Sequence, residues 1–360
     1  MMEGVIEVGC PDANKAADLI ITCGDVIAQD LRKGQVIMRA VVVHEHGGLD
    51  ALVAEDRETP VPGPGEALVE VAAAGVNFVD IYQRTGAYAM RTPFVVGSEA
   101  AGVVAAIGDG VTGKAVGDRV AWVMVTDGTY ATHAVVPVEK LVAVPADVDL
   151  EIAAAVMLQG LTAQFLCDSA YPVRRDDDVL VHAGAGGVGL LLTQMLVRKG
   201  ARVFTTTSTP QKASLSRGAG ATEVIDYTAY DVADEIHRLT DGHGAAVVYD
   251  GVGASTFMAS LDSLHTRGTL VLFGAASGPA PPFDPQLLNA KGSLFLTRPT
   301  LGHYVSSREE LVAQSGTLFD LVRRGDLDVR IGGRYPLDDA ARAHEDLAAR
   351  RTTGKLLIVP

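Results

Sequence analysis

Length, composition and charge exclude several classes of protein. The chain has 360 residues, of which 48% are hydrophobic and 21% are charged, so we expect two or three folded domains and not a mainly disordered chain. The formal net charge is −14, and the basic residues are scattered along the chain. A nucleic-acid-binding protein needs a basic surface, so we expect no nucleic-acid partner.

A membrane-spanning helix and a disulfide framework are also disfavoured. No apolar run approaches the ~18 residues expected of a membrane-spanning helix. The three cysteines, Cys10, Cys23 and Cys167, are too few and too dispersed for a disulfide framework or a four-cysteine zinc lobe. These features predict a soluble, reduced protein with a cytoplasmic location and no membrane partner.

The first 37 residues differ from the rest of the chain. They have neither the basic and long apolar regions of a secretory signal nor the Arg-rich and Ser-rich composition of a transit peptide. We interpret residues 1–37 as an extension of little functional weight, with a short docking segment for a partner as the alternative. The folded part begins at Met38 with MRAVVVHEHGG.

Two patterns follow in order along the chain. From residue 38 to about 150, short apolar runs broken by Gly and Pro predict a β-rich region that forms a partly closed barrel. Residues 151–170 have helical spacing. Beyond them, strands alternate with helices that end on glycine, which predicts a parallel sheet. The six predicted strands are DVLVHAG, ARVFTTT, TEVIDY, AAVVYDG, TLVLFGA and SLFLTR.

Six strands are the number in a complete dinucleotide-binding fold. The tail adds a helix in REELVAQSGTLFDLVRRGD, the short segment RIGGRYP, a helix in LDDAARAHEDLAAR and a strand in KLLIV. We expect this tail to pack on the first region, which makes the nucleotide-binding part an insertion.

A glycine motif lies between the first predicted strand and helix of the alternating region. In DVLVHAGAGGVGLLL (178–192), Gly184, Gly186 and Gly189 fit G-x-G-x-x-G. Glycines allow a tight turn and a close approach of the backbone to a pyrophosphate, which then lies at the helix N-terminus. The alternative is a tight turn that binds nothing.

The end of the second strand indicates which nicotinamide cofactor is preferred. An NAD-binding fold places Asp or Glu there, about 20 residues beyond the glycines. Here the sequence is TTTSTPQK (205–212), with hydroxyl groups and Lys212 but no acid. This pattern favours the 2′-phosphate of NADPH, unless Lys212 is only a solvated helix residue.

With this motif in place, the chain from Met38 onward resembles the zinc-free quinone oxidoreductases of the medium-chain dehydrogenase/reductase superfamily. Seven segments carry the resemblance. They are AAGVNFVDIYQRTGAY (73–88), GSEAAGVVAAIG (97–108), LQGLTA (158–163), HAGAGGVGLLLTQ (182–194), VVYDGVG (247–253), PPFDPQLLNAKGSLFLTRPTLGHY (281–304) and RAHEDLAARRTTGKLLI (342–358).

The resemblance implies an α/β protein in which a Rossmann domain, a doubly wound parallel sheet, is inserted into a GroES-like β-rich catalytic domain. The GroES-like domain would comprise residues 38–160 and 302–360, and the Rossmann NADPH-binding domain residues 161–301. NADPH would lie in a cleft between them. The implied contacts in the first domain are Asn77, Tyr82 and Tyr88, with Thr162 at the domain junction.

The resemblance also implies the remaining cofactor contacts. Gly186, Gly187 and Val188 would meet the pyrophosphate, within the motif of Gly184 and Gly189. Ser208, Lys212 and Tyr227 would surround the adenosine phosphate end, and Arg350 would come from the tail. The nicotinamide side would be lined by Phe273, Gly274, Ser277, Leu296, Thr297 and Arg298. Two departures from the family pattern are Gly251, often a serine, and Gln159, a lysine in some relatives.

The same resemblance implies an enzyme without a metal. The zinc ligands of zinc-dependent relatives would fall on Asn77, on Ser98 and near Gln159, none of which is a good zinc ligand. The implied reaction is NADPH-dependent reduction of a quinone by hydride transfer, as in NADPH:quinone oxidoreductases. Asn77 would fix the nicotinamide or a water. Tyr82 or Tyr88 would donate a hydrogen bond to the carbonyl, unless both tyrosines only pack on the cofactor.

Two other functions remain open at this point. One is reduction of an activated C=C bond in an enone, enal or enoyl thioester, because related enoyl-thioester reductases have an Asn and a catalytic Tyr eleven residues apart, as Asn77 and Tyr88 are. The other is a non-catalytic NADPH-binding protein. SLFLT (293–297) is the predicted edge strand, and the resemblance implies a homodimer that covers this edge.

Overall fold

The structure, a computed structural model, describes residues 36–124 and 128–360. Most of the predicted extension, with Cys10 and Cys23, lies outside the described residues. The strands are β1 (Ile37–Val43), β2 (Val53–Glu58), β3 (Glu66–Val76), β4 (Phe94–Val95), β5 (Glu99–Ile107), β6 (Arg119–Val123), β7 (His133–Pro137), β8 (Val142–Ala143), β9 (Asp178–Val181), β10 (Arg202–Thr207), β11 (Glu223–Asp226), β12 (Ala245–Asp250), β13 (Leu264–Leu272), β14 (Phe295–Thr297), β15 (Ile331–Pro336) and β16 (Lys355–Val359).

Nine α-helices lie within the described ranges. They are α1 (Phe78–Thr85), α2 (Leu150–Phe165), α3 (Gly187–Arg198), α4 (Pro210–Gly218), α5 (Val232–Leu239), α6 (Phe257–Asp262), α7 (Gln286–Ala290), α8 (Arg308–Arg323) and α9 (Ala340–Ala348). A single π-helical turn, Leu166–Ala170, continues α2. Short 3₁₀ helices are found at Leu49–Ala51, Val138–Lys140, Leu301–His303 and Leu337–Asp339.

The alternating half of the chain forms one parallel sheet. Its strand order is β11-β10-β9-β12-β13-β14, and every neighbouring pair is parallel. Numbered along the chain, this is the order 3-2-1-4-5-6 of a doubly wound dinucleotide-binding sheet. The fold predicted for this part is confirmed, and β14 lies at the edge of the sheet as expected.

One of the predicted helices is shorter in the structure than the sequence indicated. The segment ASTFMASLDSLHTRG was expected to be helical throughout, but α6 ends at Asp262 and β13 already begins at Leu264. Leu264 pairs with Ala245 of β12, and a bulge follows before Thr269 pairs with Val247. Pairing with the neighbouring strand therefore overrides the local helical pattern.

The rest of the chain forms two mostly antiparallel sheets. One has the order β2-β1-β4, and the other β15-β16-β3-β5-β6-β8, with β7 also paired to β3. The C-terminal strand β16 pairs with β3 from Leu356↔Val76 to Ile358↔Ala74. The tail thus joins the first region, as expected, and the parallel sheet is inserted between its two parts.

Helix α2 connects the two regions. It is almost fully apolar, and its buried residues share one core cluster with Ala73 and Val123 of the antiparallel sheet and with Val179 and Val247 of the parallel sheet. The predicted domain boundary at residue 160 lies inside this continuous helix.

The same helix differs from the expectation that no apolar run approaches the length of a membrane-spanning helix. Leu150–Ala170 is long and apolar enough by length and composition, but 72% of its most apolar window is buried inside the protein. It is the central core helix of this fold.

Candidate active site

The predicted glycine motif forms the turn between β9 and α3. A Cβ atom on Gly184 would lie 2.5 Å from Thr205 Cβ and 2.7 Å from Ser216 Oγ, which leaves no room for a side chain. A Cβ on Gly189 would overlap the backbone oxygen of Ala183. These two glycines therefore allow the turn to pack against β10 and against the start of α3.

Gly186 has a different environment. An added Cβ would make one tight contact, 3.2 Å from the Ala183 oxygen, and no other atom is found within 4 Å of it beyond the adjoining residues, so the space beside its Cα is otherwise open. Gly187 and Val188 follow in the first turn of α3, a helix of 12 residues. The first N–H groups of a helix lack helical partners and favour an anion. This arrangement can hold a pyrophosphate.

Helix α2 meets the turn at Gln159. The Gln159 Oε1 atom occupies the space where a Cβ of Gly187 would stand. This oxygen is buried and accepts no hydrogen bond from the described residues. Thr162 is also buried in α2, at 8% exposure. The junction thus places a polar amide directly beside the glycine turn.

The predicted adenosine end lies beyond β10. Thr207 ends the strand, and its carbonyl oxygen accepts the backbone N–H of Tyr227 at 3.2 Å. Ser208 follows, and Lys212 lies in the first turn of α4. The Lys212 ammonium donates to the carbonyl oxygen of Arg350, at 2.7 Å. The three residues predicted for this end follow β10 or lie against its last residue, and the structure adds Arg350 of the tail, which the resemblance did not assign to either end of the cofactor.

One carboxylate lies near this end that the sequence argument did not consider. Asp226 is in register with Thr207 on the neighbouring strand β11. Its Oδ1 accepts the backbone N–H and the hydroxyl of Thr228, at 2.9 and 2.7 Å, and these bonds hold its pKa below the usual value. The carboxylate is therefore ionised and engaged with its own turn.

The loops after β12 and β13 form the predicted nicotinamide side. A Cβ on Gly251 would lie 2.7 Å from the Phe273 ring, so the ring occupies the space that a serine side chain would need. A Cβ on Gly274 would overlap the Gly251 carbonyl. The Ser277 hydroxyl donates to the carbonyl of Val252, at 2.8 Å. The Phe273 ring thus lies directly beside Gly251, one of the two departures from the family pattern.

The two predicted catalytic tyrosines contact this side of the site. The ring centroids of Tyr82 and Tyr88 are 5.1 Å apart. Arg298, directly after β14, donates to the Tyr88 hydroxyl, with Nη2 3.4 Å from the oxygen. Burial raises the pKa of Tyr82 to about 12, against the opposing effect of the Ala275 backbone N–H beside its hydroxyl. Leu296 and Thr297 of β14 are half-buried next to Arg298.

Asn77, at the N-terminus of α1, belongs to a buried polar cluster. Its Nδ2 donates to Glu99 Oε1, at 2.7 Å, and to the Gly75 carbonyl, at 3.3 Å. Its Oδ1 accepts from the Lys355 ammonium, at 2.8 Å. Lys355 and Glu99 also form an ion pair and are 1% and 0% exposed. Asn77 is thus fixed by residues from three strands.

A second buried cluster adjoins the first through α1. Asp80 accepts hydrogen bonds from Ser98 Oγ, at 2.6 Å, and from the Tyr130 hydroxyl, at 3.0 Å. Burial raises the pKa of Asp80 to about 6 despite these donors. His344 contacts Tyr130 and Arg84, and burial together with the Arg84 charge lowers the pKa of His344 to about 3.

Lys355, Glu99, Asp80, Tyr130 and His344 were not identified from the sequence as site residues. The available signal was weak: Glu99 and Lys355 each begin an apolar strand, in EAAGVVAAI and KLLIV. A charged residue at a strand end is common and is usually solvated. Only the pairing of β16 and β5 with the two sides of β3 shows that these two charges meet.

Comparisons with known proteins decide the family. The description "Alcohol dehydrogenase GroES-like domain" matches residues 63–146, and "Zinc-binding dehydrogenase" matches residues 187–313. A quinone oxidoreductase from Pseudomonas aeruginosa is 46% identical over 316 residues, which cover 88% of this chain and 97% of the relative. The chain belongs to the zinc-free quinone oxidoreductase family.

Two further relatives are informative. A 2-haloacrylate reductase from a Burkholderia species is 40% identical over 331 residues, covering 90% of this chain and 99% of the relative. The structure of the mycobacterial protein Rv1454c, solved in complex with NADPH, has a TM-score of 0.87 and 51% identity, covering 90% of this chain and all of that chain. This member of the family therefore shares its fold, over 90% of its length, with a protein solved in complex with NADPH.

In this member of the family, the positions that correspond to zinc ligands have other partners. Asn77 is bonded to Lys355 and Glu99, Ser98 donates to Asp80, and Gln159 lies against the glycine turn. Across residues 36–124 and 128–360, no group of three or more His, Cys, Asp or Glu side chains could hold a metal ion. The Lys355 ammonium supplies the positive charge in this part of the site.

Proposed function

We propose that the protein reduces quinones by hydride transfer from NADPH, without zinc. The observation that carries the proposal is the contact of Tyr82 and Tyr88 with Ala275 and Arg298. This contact brings the candidate catalytic side chains to the carboxyl ends of the dinucleotide sheet, where a nicotinamide binds. The quinone oxidoreductase from P. aeruginosa and the NADPH complex of the mycobacterial relative support the choice of acceptor and cofactor.

The residues present fit NADPH. The open space at Gly186 and the N-terminus of α3, with Gly187 and Val188, suit the pyrophosphate. Ser208, Lys212, Tyr227 and Arg350 would hold the adenosine phosphate end. Phe273, Gly274, Ser277, Leu296, Thr297 and Arg298 would line the nicotinamide side.

NADPH, when bound, supplies the hydride, and the protein mainly positions the reactants. Tyr88 is 45% exposed, so its hydroxyl can reach a quinone carbonyl while Arg298 donates to the same oxygen. The raised pKa of Tyr82 keeps that phenol protonated at neutral pH. Quinone oxygens can then take protons from water or from a phenol. Asn77 would accept a hydrogen bond from the nicotinamide or from a water.

A second candidate function is reduction of an activated C=C bond in an enone, enal or enoyl thioester. The similarity to a 2-haloacrylate reductase favours it. Non-catalytic NADPH binding is the remaining alternative, and any steady turnover would exclude it.

The deciding experiment measures NADPH oxidation against a panel of quinones, enones, enals and enoyl thioesters. We expect the highest kcat/KM with small quinones. Good turnover of an enoyl thioester or a haloacrylate with little quinone reduction would instead support C=C reduction. Binding of NADPH without turnover of any acceptor would support the non-catalytic function.

We also propose that residues 38–160 and 302–360 act as one catalytic domain and residues 161–301 as the NADPH-binding domain. The pairing of β16 with β3 supports the first grouping. We further propose that the protein acts in the cytoplasm, because its low cysteine content, three in 360 residues, suits a reducing compartment. Cell fractionation tests this location.

A homodimer is proposed from the edge of the parallel sheet. β14 is the edge strand, and its Phe295 is 61% exposed. An exposed apolar edge strand tends to pair with another strand, and a two-fold axis would cover both edges. Light scattering at micromolar concentration should give the mass of a dimer, and a monomer would refute this assembly.

A further inference from the structure

Lys355 and Glu99 form a buried ion pair that also binds Asn77. Lys355 donates to Asn77 Oδ1 at 2.8 Å, and Glu99 Oε1 accepts from Asn77 Nδ2 at 2.7 Å. An added Cβ on Gly75 would overlap both charged side chains, so this glycine provides the space for the pair. Burying two charges is costly unless every polar atom is satisfied. Such a pair is a poor device for stability alone.

The two charges determine which way the Asn77 amide points. An ammonium group can only donate, and a carboxylate can only accept. The amide oxygen must therefore face Lys355, and the amide nitrogen must face Glu99. The second N–H of Asn77 donates to Gly75. The remaining capacity of the side chain is one lone pair on Oδ1, so Asn77 can accept a hydrogen bond but cannot donate one.

Lys355 is also connected to the glycine turn. The preceding residue, Gly354, donates its N–H to the Ala185 carbonyl at 3.0 Å and forms a bridge with Gly186. On the other side of the amide, Glu99 Oε2 accepts the backbone N–H of Leu158, the neighbour of Gln159. The placement of Asn77 therefore depends on the same backbone that forms the candidate pyrophosphate site.

We propose that Lys355, together with Glu99, is a positioning residue that holds Asn77 as a hydrogen-bond acceptor in register with the cofactor turn. This inference rests on the proposed function, because it concerns the geometry of hydride transfer. Neither charge needs to touch the substrate. Their effect on the reaction is transmitted through Asn77.

The test separates positioning from folding by removing both charges at once. Lys355→Met alone leaves Glu99 buried and unpaired, which strongly destabilises a protein. In the double variant Glu99→Gln/Lys355→Met no charge is left buried, and the single Gln oxygen can still accept from one of the two donors, Asn77 Nδ2 or the Leu158 N–H. We expect its melting temperature to recover most of the loss caused by Lys355→Met.

The kcat of the double variant should remain low although its melting temperature recovers. We expect the double variant to lose at least about tenfold in kcat for a small quinone, with the KM for NADPH changed by less than about threefold. As a matched control, Asp168→Asn/Lys199→Met removes the partly exposed ion pair of those residues and should leave kcat unchanged. A double variant with normal stability and normal kcat would overturn the proposal, because the pair would then be only structural.

Adding Asn77→Ala tests whether the effect passes through Asn77. The triple variant should have the same kcat as Asn77→Ala, within about twofold, since residues that act as a unit are not additive. Multiplicative losses would contradict the proposal.

A measurement on the NADPH complex without any acceptor tests the positioning role independently of the proposed quinone reduction. The fluorescence emission of bound NADPH reports the surroundings of the nicotinamide. We expect the same emission shift in Asn77→Ala and in the double variant. Unchanged emission in the double variant would overturn the positioning role. Absence of quinone turnover in the unmutated protein would instead refute only the proposed function.

Discussion

The Lys212 ammonium donates a hydrogen bond to the carbonyl oxygen of Arg350, with 2.7 Å between Nζ and O. Lys212 lies in the first turn of α4 in the parallel sheet region, and Arg350 lies between α9 and β16 in the tail. The contact places a positive charge at the end of β10, where a carboxylate would bind the ribose hydroxyls of NADH.

This placement predicts the cofactor preference. We expect NADPH to bind at least about tenfold more tightly than NADH, or about 1.4 kcal/mol. Lys212→Ala should reduce this difference and spare NADH affinity, whereas the control Lys114→Ala, on the loop between β5 and β6, should change neither. Fluorescence titration measures both affinities. Equal affinities in the unmutated protein would be inconsistent with the proposed 2′-phosphate site.

Two glycines of the same motif should respond differently to alanine. Gly186→Ala should change the free energy of unfolding by less than about 1 kcal/mol, because its backbone conformation is ordinary and the methyl group would make only one tight contact, with the Ala183 oxygen at 3.2 Å. It should nevertheless weaken NADPH binding, because a methyl group would stand where the pyrophosphate approaches.

Gly184→Ala is the matched comparison. Its Cβ would lie 2.5 Å from Thr205 Cβ, so we expect a loss of about 1–3 kcal/mol in stability from overpacking. Denaturant unfolding and NADPH titration on both variants test this division. A strongly destabilised Gly186→Ala protein would show that the open space has been misassigned.

The role of Tyr88 distinguishes the two proposed reactions. In quinone reduction the charge develops on oxygen, which water can protonate, so Tyr88→Phe should lower kcat by less than about tenfold, or 1.4 kcal/mol. A proton donor to a carbanion would be worth about 10²–10⁴ in rate. Tyr230→Phe, a change at a tyrosine that is 60% exposed, serves as the control. A hundredfold loss with good enoyl-thioester turnover would favour C=C reduction.

Activity should not depend on a metal ion. The side chains of Asn77 and Ser98 are occupied by hydrogen bonds, and neither is a good zinc ligand. We expect full activity after exhaustive chelation and no stoichiometric zinc by elemental analysis. Activity that chelation removes and zinc restores would contradict the assignment.

His344 should make stability fall in acid. Its pKa is lowered to about 3 in the folded protein by burial and by Arg84, so the unfolded chain takes up a proton first as the pH falls below about 6.5. The stability contributed by neutral His344 is present above that pH and is lost progressively towards pH 3.

The corresponding measurement compares the unmutated protein with His344→Gln in denaturant unfolding. The free energy of unfolding of the unmutated protein minus that of His344→Gln should decrease by about 3 kcal/mol between pH 7 and pH 4. Asp80 has a raised pKa and contributes in the opposite direction, but it is present in both proteins and cancels. A difference independent of pH would show that His344 titrates normally.

Much of the fold could be predicted from local patterns. The six strands of the parallel sheet, the glycine turn and the return of the tail each follow from periodicity and from turn residues in a short stretch of sequence. The early start of β13 could not, because Leu264 is in a strand through its pairing with Ala245. The sequence argument also did not predict that the helical segment Leu150–Ala170 is long enough to span a membrane. Its polar residues, among them Glu151 and Gln159, interrupt the apolar run in the sequence.

In the candidate site, too, some features follow from local sequence and others only from the tertiary structure. The sequence by itself determined that Gly184 and Gly186 lie in a tight turn between a strand and a helix and that no acid follows β10, because these are properties of neighbouring residues. Only the tertiary structure decided that Lys355 bonds to Asn77 across 278 residues of chain and that Phe273 fills the space beside Gly251. Such contacts depend on which strands pair and how the loops pack, and no local pattern specifies that.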